Sequence, residues 1–131
     1  MSLSTNVATG DPGHAALHNA ERTAINKLNE MATSTKTASY ELVLADANTI
    51  IEMNVGTANT LTVPANSSVA FPVGTVIEVY QLGAGQTTVT AAVGVTIRTP
   101  DTLKIDGQYA TAALRKRATD EWVLDGRLEA A

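Results

Sequence analysis

The stretch Thr75-Val76-Ile77-Glu78-Val79-Tyr80-Gln81-Leu82, then Gly83-Ala84-Gly85, then Gln86-Thr87-Thr88-Val89-Thr90-Ala91 decides how this chain is read. Its first part alternates with a period of two. Ile77 and Val79 share one side, and Val76, Glu78 and Tyr80 share the other, as in a half-buried β-strand. Gly83-Ala84-Gly85 interrupts the pattern and Gln86–Ala91 resumes it, which predicts a β-hairpin. A glycine-rich triplet also begins phosphate-binding loops, but such a loop must lead from a strand into a helix. Gln86–Ala91 has the pattern of a strand, so the hairpin reading is preferred.

Working outward, the same texture covers most of the chain. Tyr40–Leu44 and Thr49–Val55 flank a turn at Asp46-Ala47-Asn48. Asn59–Val63 stops at Pro64, and Pro64-Ala65-Asn66-Ser67-Ser68 reads as a loop. Val95–Thr99, Leu103–Ile105, Tyr109–Ala118 and Trp122–Leu128 complete the set, the last two joined through Thr119-Asp120-Glu121. Short runs with frequent turn signals predict a small antiparallel β-sandwich or barrel-like domain over residues 40–131. No exact internal repeat stands out, so no solenoid is read from the sequence.

The N-terminal part differs. Met1–Gly10 has no periodicity and reads as an arm that orders only against a neighbour. Asp11 suits a helix N-cap and Pro12 the first helical position. Ala15, Ala16, Leu17, Ala20, Ala24, Ile25, Leu28 and Met31 then recur at helical spacing. Leu17, Ala24, Leu28 and Met31 make a narrow apolar stripe suited to a helix-on-helix seam. A helix from Pro12 to Met31 would be roughly 30 Å long. Ala32–Ser39 is polar and aperiodic, and reads as a linker. The expected organisation is therefore mainly β with one N-terminal α-helix. Residues 1–39 form an arm, helix and linker that serve as an anchor, and residues 40–131 the β domain.

Composition limits the functions available. The 131 residues carry a net charge of −4, and the pI of about 5.0 argues against general nucleic-acid binding, which needs a basic face. With no cysteine there is no thiolate nucleophile, disulfide or zinc–thiolate site. No stretch approaches the ~20 apolar residues of a membrane span, and no export signal is readable. The apolar content is mostly Ala and Val, with one Trp, one Phe and three Tyr. A core so poor in aromatics is more easily stabilised by association of chains.

Candidate reactive groups are few. His14 and His18 lie one helical turn apart, with Glu21 three residues further on. That spacing can chelate a divalent metal, on a trimer axis for example. The zincin pattern, however, needs Glu directly after the first His, where this chain has Ala15. Capping of the first turn or contact with a neighbouring chain is the preferred reading, so no metal and no cofactor is expected. Asp101, Asp106, Asp120 and Asp125 fall in turns or at strand ends. They are read as local backbone partners, because a glycosidase pair needs a defined separation across a cleft. The serines lack a nucleophile-elbow context. Arg115-Lys116-Arg117 is the only basic cluster. Arg115 and Arg117 share a strand face opposite Lys116, and the strip is read as a solvated face or a charged sheet edge.

Two stretches resemble proteins of tailed bacteriophages. The first, Gly10-Asp11-Pro12-Gly13-His14 followed by Ala16, His18-Asn19 and a short helix, resembles the N-terminal segment of many actinobacterial-phage virion proteins. The second begins with Tyr40-Glu41-Leu42-Val43-Leu44-Ala45-Asp46-Ala47 and Ile51-Glu52-Met53-Asn54. It continues through Asn59-Thr60-Leu61-Thr62-Val63-Pro64, Val73-Gly74-Thr75, Gln81–Gln86 and Val95–Arg98 to Glu121-Trp122. This is similar to a β module of phage tail-fibre and head-fibre or capsid decoration proteins. Together the resemblance covers nearly all of the chain after residue 10.

The resemblance implies a homotrimeric, non-enzymatic virion protein. A chain this short, starting at Met and ending just after the β module, suits a capsid decoration or head-fibre protein better than a long tail fibre. Its expected partners are itself and the phage major capsid protein, with no nucleic acid and no membrane. Its expected place is the capsid surface, after synthesis in the bacterial cytoplasm. Asp11, Pro12, His14, Leu17, His18, Ala24, Leu28 and Met31 are the expected attachment and trimer residues. The alternative is a tail-fibre or receptor-binding module that recognises a host surface glycan.

Overall fold

A computed structural model describes residues 31–131 of the chain. The helix expected over 12–31 falls almost wholly outside the described residues, as do Asp11, Pro12, His14, Leu17, His18, Ala24 and Leu28. Met31 is described and is exposed ahead of the first strand. From Ala32 to Ala131 the chain builds one unit.

That unit holds nine strands. They are β1 (Thr33–Lys36), β2 (Tyr40–Glu41), β3 (Ile50–Met53), β4 (Asn59–Val63), β5 (Val76–Gln81), β6 (Thr87–Ala91), β7 (Thr96–Arg98), β8 (Thr111–Ala118) and β9 (Glu121–Gly126). A single 3-10 turn, Leu44–Asp46, is the helical element among the described residues. A six-stranded sheet runs β1-β3-β5-β8-β9-β7, and a three-stranded sheet runs β2-β4-β6. The unit is therefore mainly β and sandwich-like, and its larger sheet is mixed.

Two expectations are corrected here. The sandwich is not antiparallel: β1–β3, β3–β5, β2–β4, β4–β6 and β7–β9 all pair parallel, and only β5–β8 and β8–β9 pair antiparallel. Nor is Gly83-Ala84-Gly85 a hairpin turn, because β5 and β6 lie in different sheets. Successive strands alternate between the sheets from β1 to β6, so the chain winds in solenoid-like coils although no exact repeat marks them. Parallel neighbours need a crossover of a dozen or so residues, usually a helix. Here a strand of the other sheet supplies it.

The winding has a register. Ile50 pairs with Glu78 and Asn59 with Thr87, so both sheets step by the same 28 residues between the second and third coils. The first coil is shorter, with steps of 17 (Thr33 to Ile50) and 21 (Tyr40 to Leu61). Ala32–Ser39, read as a linker, thus contributes a strand. Its Thr-Ser-Thr-Lys sequence has no apolar alternation, and it is recruited by the adjacent edge of β3. The stretch Leu103–Ile105 forms isolated bridges to Thr88 and Leu128 rather than a strand.

Burial follows the alternation read from sequence. Ile51 and Met53 of β3, Leu61 and Val63 of β4, Ile77 and Val79 of β5 and Val89 of β6 point into one shared core. Leu114, Trp122 and Leu124 extend it along β8 and β9. The one Trp and one Phe meet edge to face, with ring centroids of Phe71 and Trp122 5.5 Å apart at 88°, a favoured aromatic geometry.

Candidate functional site

The corners where coils stack use polar residues as structural fasteners. Asn59 is buried; its Nδ2 donates to the Thr57 carbonyl (2.9 Å) and the Gly85 carbonyl (3.2 Å), and its Oδ1 accepts from Thr87 Oγ1 (2.7 Å). Gln81 is buried too, donating to the Gly83 carbonyl and accepting from the Thr87 N–H at 3.1 Å. Thr62 and Thr90, equivalent positions of adjacent coils, join through their hydroxyls at 2.9 Å. Every one of these polar side chains is satisfied within the fold, as burial requires.

Tyr40 and Asp46 make a second fastener. The Tyr40 hydroxyl donates to Asp46 Oδ2 at 2.7 Å, and the Val43 N–H donates to the same oxygen at 2.9 Å. Burial, and then the hydrogen bond and charge of Asp46, push the Tyr40 hydroxyl up to about 12 from its ordinary 10.0.

Lys116 is a residue whose burial the sequence did not announce. The face assignment holds: Arg115 and Arg117 are exposed and Lys116 points inward, only 2% exposed. The sheet-edge reading does not, because β8 lies between β5 and β9. The Lys116 ammonium donates to Asn66 Oδ1 (2.6 Å) and to the Phe71 carbonyl (2.7 Å). The Asn66 N–H in turn donates to Asp120 Oδ1 at 2.7 Å. This network ties the Pro64–Pro72 loop to the β8–β9 hairpin, whose turn residue Asp120 has φ 56°.

The aspartates considered for catalysis do not come together. Asp120 serves the network just described, Asp125 Oδ1 accepts from the next residue's N–H, and Asp106 pairs with Arg127. For Asp101 the contact formed is through its backbone N–H, to Thr99 Oγ1. Among the described residues no group of three or more His, Asp or Glu side chains is placed to hold a metal ion. Among them also, no helix is long and apolar enough to cross a membrane.

One concave surface stands out. A groove of about 290 Å³ lies between the loop Asp106–Ala110, Thr111 and Arg127. Its loop is pinned to the end of β5: the Tyr109 N–H donates to the Gln81 carbonyl (2.7 Å) and the Gln81 N–H to the Ala110 carbonyl (3.0 Å). Pinning holds Tyr109 at φ 70°, and the residue is 64% exposed. Beside it the Arg127 Nε meets Asp106 Oδ2 at 3.1 Å. Gln108 is tethered through its amide N–H to the Leu82 carbonyl at 3.2 Å. The sequence pointed to Asp106 only as a turn residue and carried no sign of Tyr109, since an aromatic is not what a left-handed position normally selects.

No protein-family model matches the chain, and no curated protein matches it by sequence.

Proposed function

We propose that this chain is a non-enzymatic bacteriophage virion structural protein, a homotrimeric capsid decoration or head-fibre protein held on the capsid exterior by the region ahead of the β unit. One observation supports this most. The residues that make the β part resemble phage virion modules are spent on architecture: Tyr40 with Asp46, Asn59 and Gln81 at the coil corners, Gly83 and Gly85 where corners stack, and Trp122 in the core. A signature made of fasteners, with no convergent reactive groups among the described residues, belongs to a module built to be displayed. Its partners are further copies of itself and the major capsid protein. The stripe Leu17, Ala24, Leu28, Met31 supplies apolar area for chain association.

Deleting Met1–Asn19 tests the assignment. The truncated chain keeps the buried-tryptophan fluorescence of Trp122 and no longer binds emptied capsids. Attachment that survives the deletion overturns the anchor. The second reading, a tail-associated module that binds a host surface glycan, is favoured by the exposed Tyr109 groove. It requires the purified protein to bind host cells and not emptied capsids.

A further inference from the structure

We propose that the groove formed by Asp106, Gln108, Tyr109 and Arg127 binds a neutral pyranose sugar, with the Tyr109 ring as its stacking platform.

Tyr109 is mismatched to its backbone. A bulky residue in the left-handed region is strained, and glycine is the residue that removes the strain. Gly107 stands two positions away, yet the strained position carries an exposed aromatic that recovers little by packing. The conformation is enforced by the two backbone hydrogen bonds to Gln81, whose own side chain is locked in the coil corner. The backbone that carries the exposed ring is thus held in place rather than left to wander.

The surroundings of the ring define the ligand class. Asp106 and Arg127 bring opposite charges to the rim and cancel each other, so neither an anion nor a cation gains net attraction. Both are more than two-fifths exposed, and the pair contact engages Nε of Arg127 and Oδ2 of Asp106. The remaining guanidinium N–H groups and the other carboxylate oxygen are donor and acceptor for hydroxyls. Gln108 spends its amide N–H on Leu82 and keeps Oε1 as an acceptor. A flat apolar face next to alternating donors and acceptors matches a pyranose, which offers C–H groups on one face and hydroxyls around its rim. The volume, about 290 Å³, is at the small end of small-molecule sites and admits a single ring with the rest of a chain in solvent. This proposal gives the glycan-binding reading its site and ligand class, and rests on that reading.

Amide chemical-shift mapping on the isotopically labelled full chain tests it, with methyl α-galactopyranoside, methyl α-glucopyranoside and N-acetylglucosamine as probes and adenosine as the counter-probe. At least one sugar is expected to shift the amides of Asp106–Thr111 and Arg127, with a Kd on the order of 1 mM for so small a ligand. Tyr109→Phe keeps that affinity within about twofold, because the ring stays. Tyr109→Gly relieves the backbone, melts no lower than the parent, and loses binding at least about tenfold. Three outcomes overturn the proposal: no sugar moves these amides, adenosine moves them at lower concentration than any sugar, or Tyr109→Gly binds undiminished. Failure here leaves capsid attachment standing, and failure of capsid attachment leaves the groove standing.

Discussion

Replacing Gly85 with alanine would put a Cβ 1.9 Å from the Thr57 carbonyl oxygen and 2.2 Å from its carbon. That is roughly 1.5 Å short of ordinary contact, and the obstructing atoms are backbone that has no rotamer to change. Gly85 does not have a left-handed φ, unlike Gly74, Gly94 and Gly126. The position is therefore restricted by the corner of the preceding coil lying against it, not by turn conformation. To admit the methyl the corners must part. The Gly85 N–H to Val55 carbonyl bond (2.9 Å) and the Asn59 bonds to Thr57 and Gly85 are then strained together. Loss of two of these three hydrogen bonds at about 1 kcal/mol each, plus a partly orphaned buried amide at about 1–3 kcal/mol, gives about 3–5 kcal/mol. For a unit of this size that lowers Tm by roughly 15–30 °C. Gly56, with nothing within 4 Å of its would-be Cβ, is the control, and Gly56→Ala is expected within about 0.5 kcal/mol of the parent. Urea unfolding followed by Trp122, the only tryptophan and almost fully buried, reads both. Equal stabilities for the two variants would refute the stacked-corner reasoning and restore an ordinary turn at Gly83-Ala84-Gly85.

The other fasteners give predictions of their own. Asn59→Asp sets a carboxylate against two carbonyl oxygens and removes both donors, at a cost of about 3–5 kcal/mol at neutral pH. Because that site disfavours the charge, the new carboxyl titrates above its unfolded value, so the variant regains stability relative to the parent as pH falls towards 4; a pH-independent deficit would contradict this. Tyr40 titrates near 12 when folded and 10.0 when unfolded. Its contribution is fully present below pH 10 and declines as pH rises towards 12, so denaturation midpoints of the parent and Tyr40→Phe should converge only across that window. Lys116→Met exchanges two charge-assisted bonds for relief of a buried cation's desolvation, and these opposing terms leave global stability within about 1 kcal/mol. The local effect is larger. Hydrogen exchange at the Asn66, Ser68 and Val69 amides should speed up about tenfold, and unchanged rates would show that the lysine does not hold the loop.

The sequence carried the positions and facing of the strands far better than their pairing. Asn59–Val63 is a strand as expected, and the inward set Ile77 and Val79 was legible because alternation reports which side chain is buried. Alternation is silent on which strand lies alongside. A rung of a coil and an arm of a hairpin share the same period, and Gly-Ala-Gly suits a close-packed corner as well as a turn. The 28-residue step was present in Thr60-Leu61-Thr62-Val63 and Thr88-Val89-Thr90-Ala91, but Ile50 opposite Glu78 and Met53 opposite Gln81 hide it. Parallel pairing asks only that backbones match, so the repeat is free to drift in side chains. The strand Thr33–Lys36 carries no sequence signal for a related reason: an edge strand of half-exposed polar residues needs no apolar alternation. At the groove, Asp106 and Gly107 announced a turn, whereas the placement of Tyr109 is imposed by Gln81, a residue distant in sequence. Lys116 lies on the strand face opposite Arg115 and Arg117, as alternation dictates; its burial results from β8 being interior to the sheet, which only the tertiary pairing reveals.

If this chain is, as proposed, a structural component of a phage capsid surface, it is found on the shell of intact virions. Immunogold labelling of purified intact virions with antibody raised against the β unit addresses it most directly. Label distributed over the capsid shell, and absent from shells of virions made without this chain, is the predicted result. Label confined to the tail, or no label on the virion at all, would contradict it.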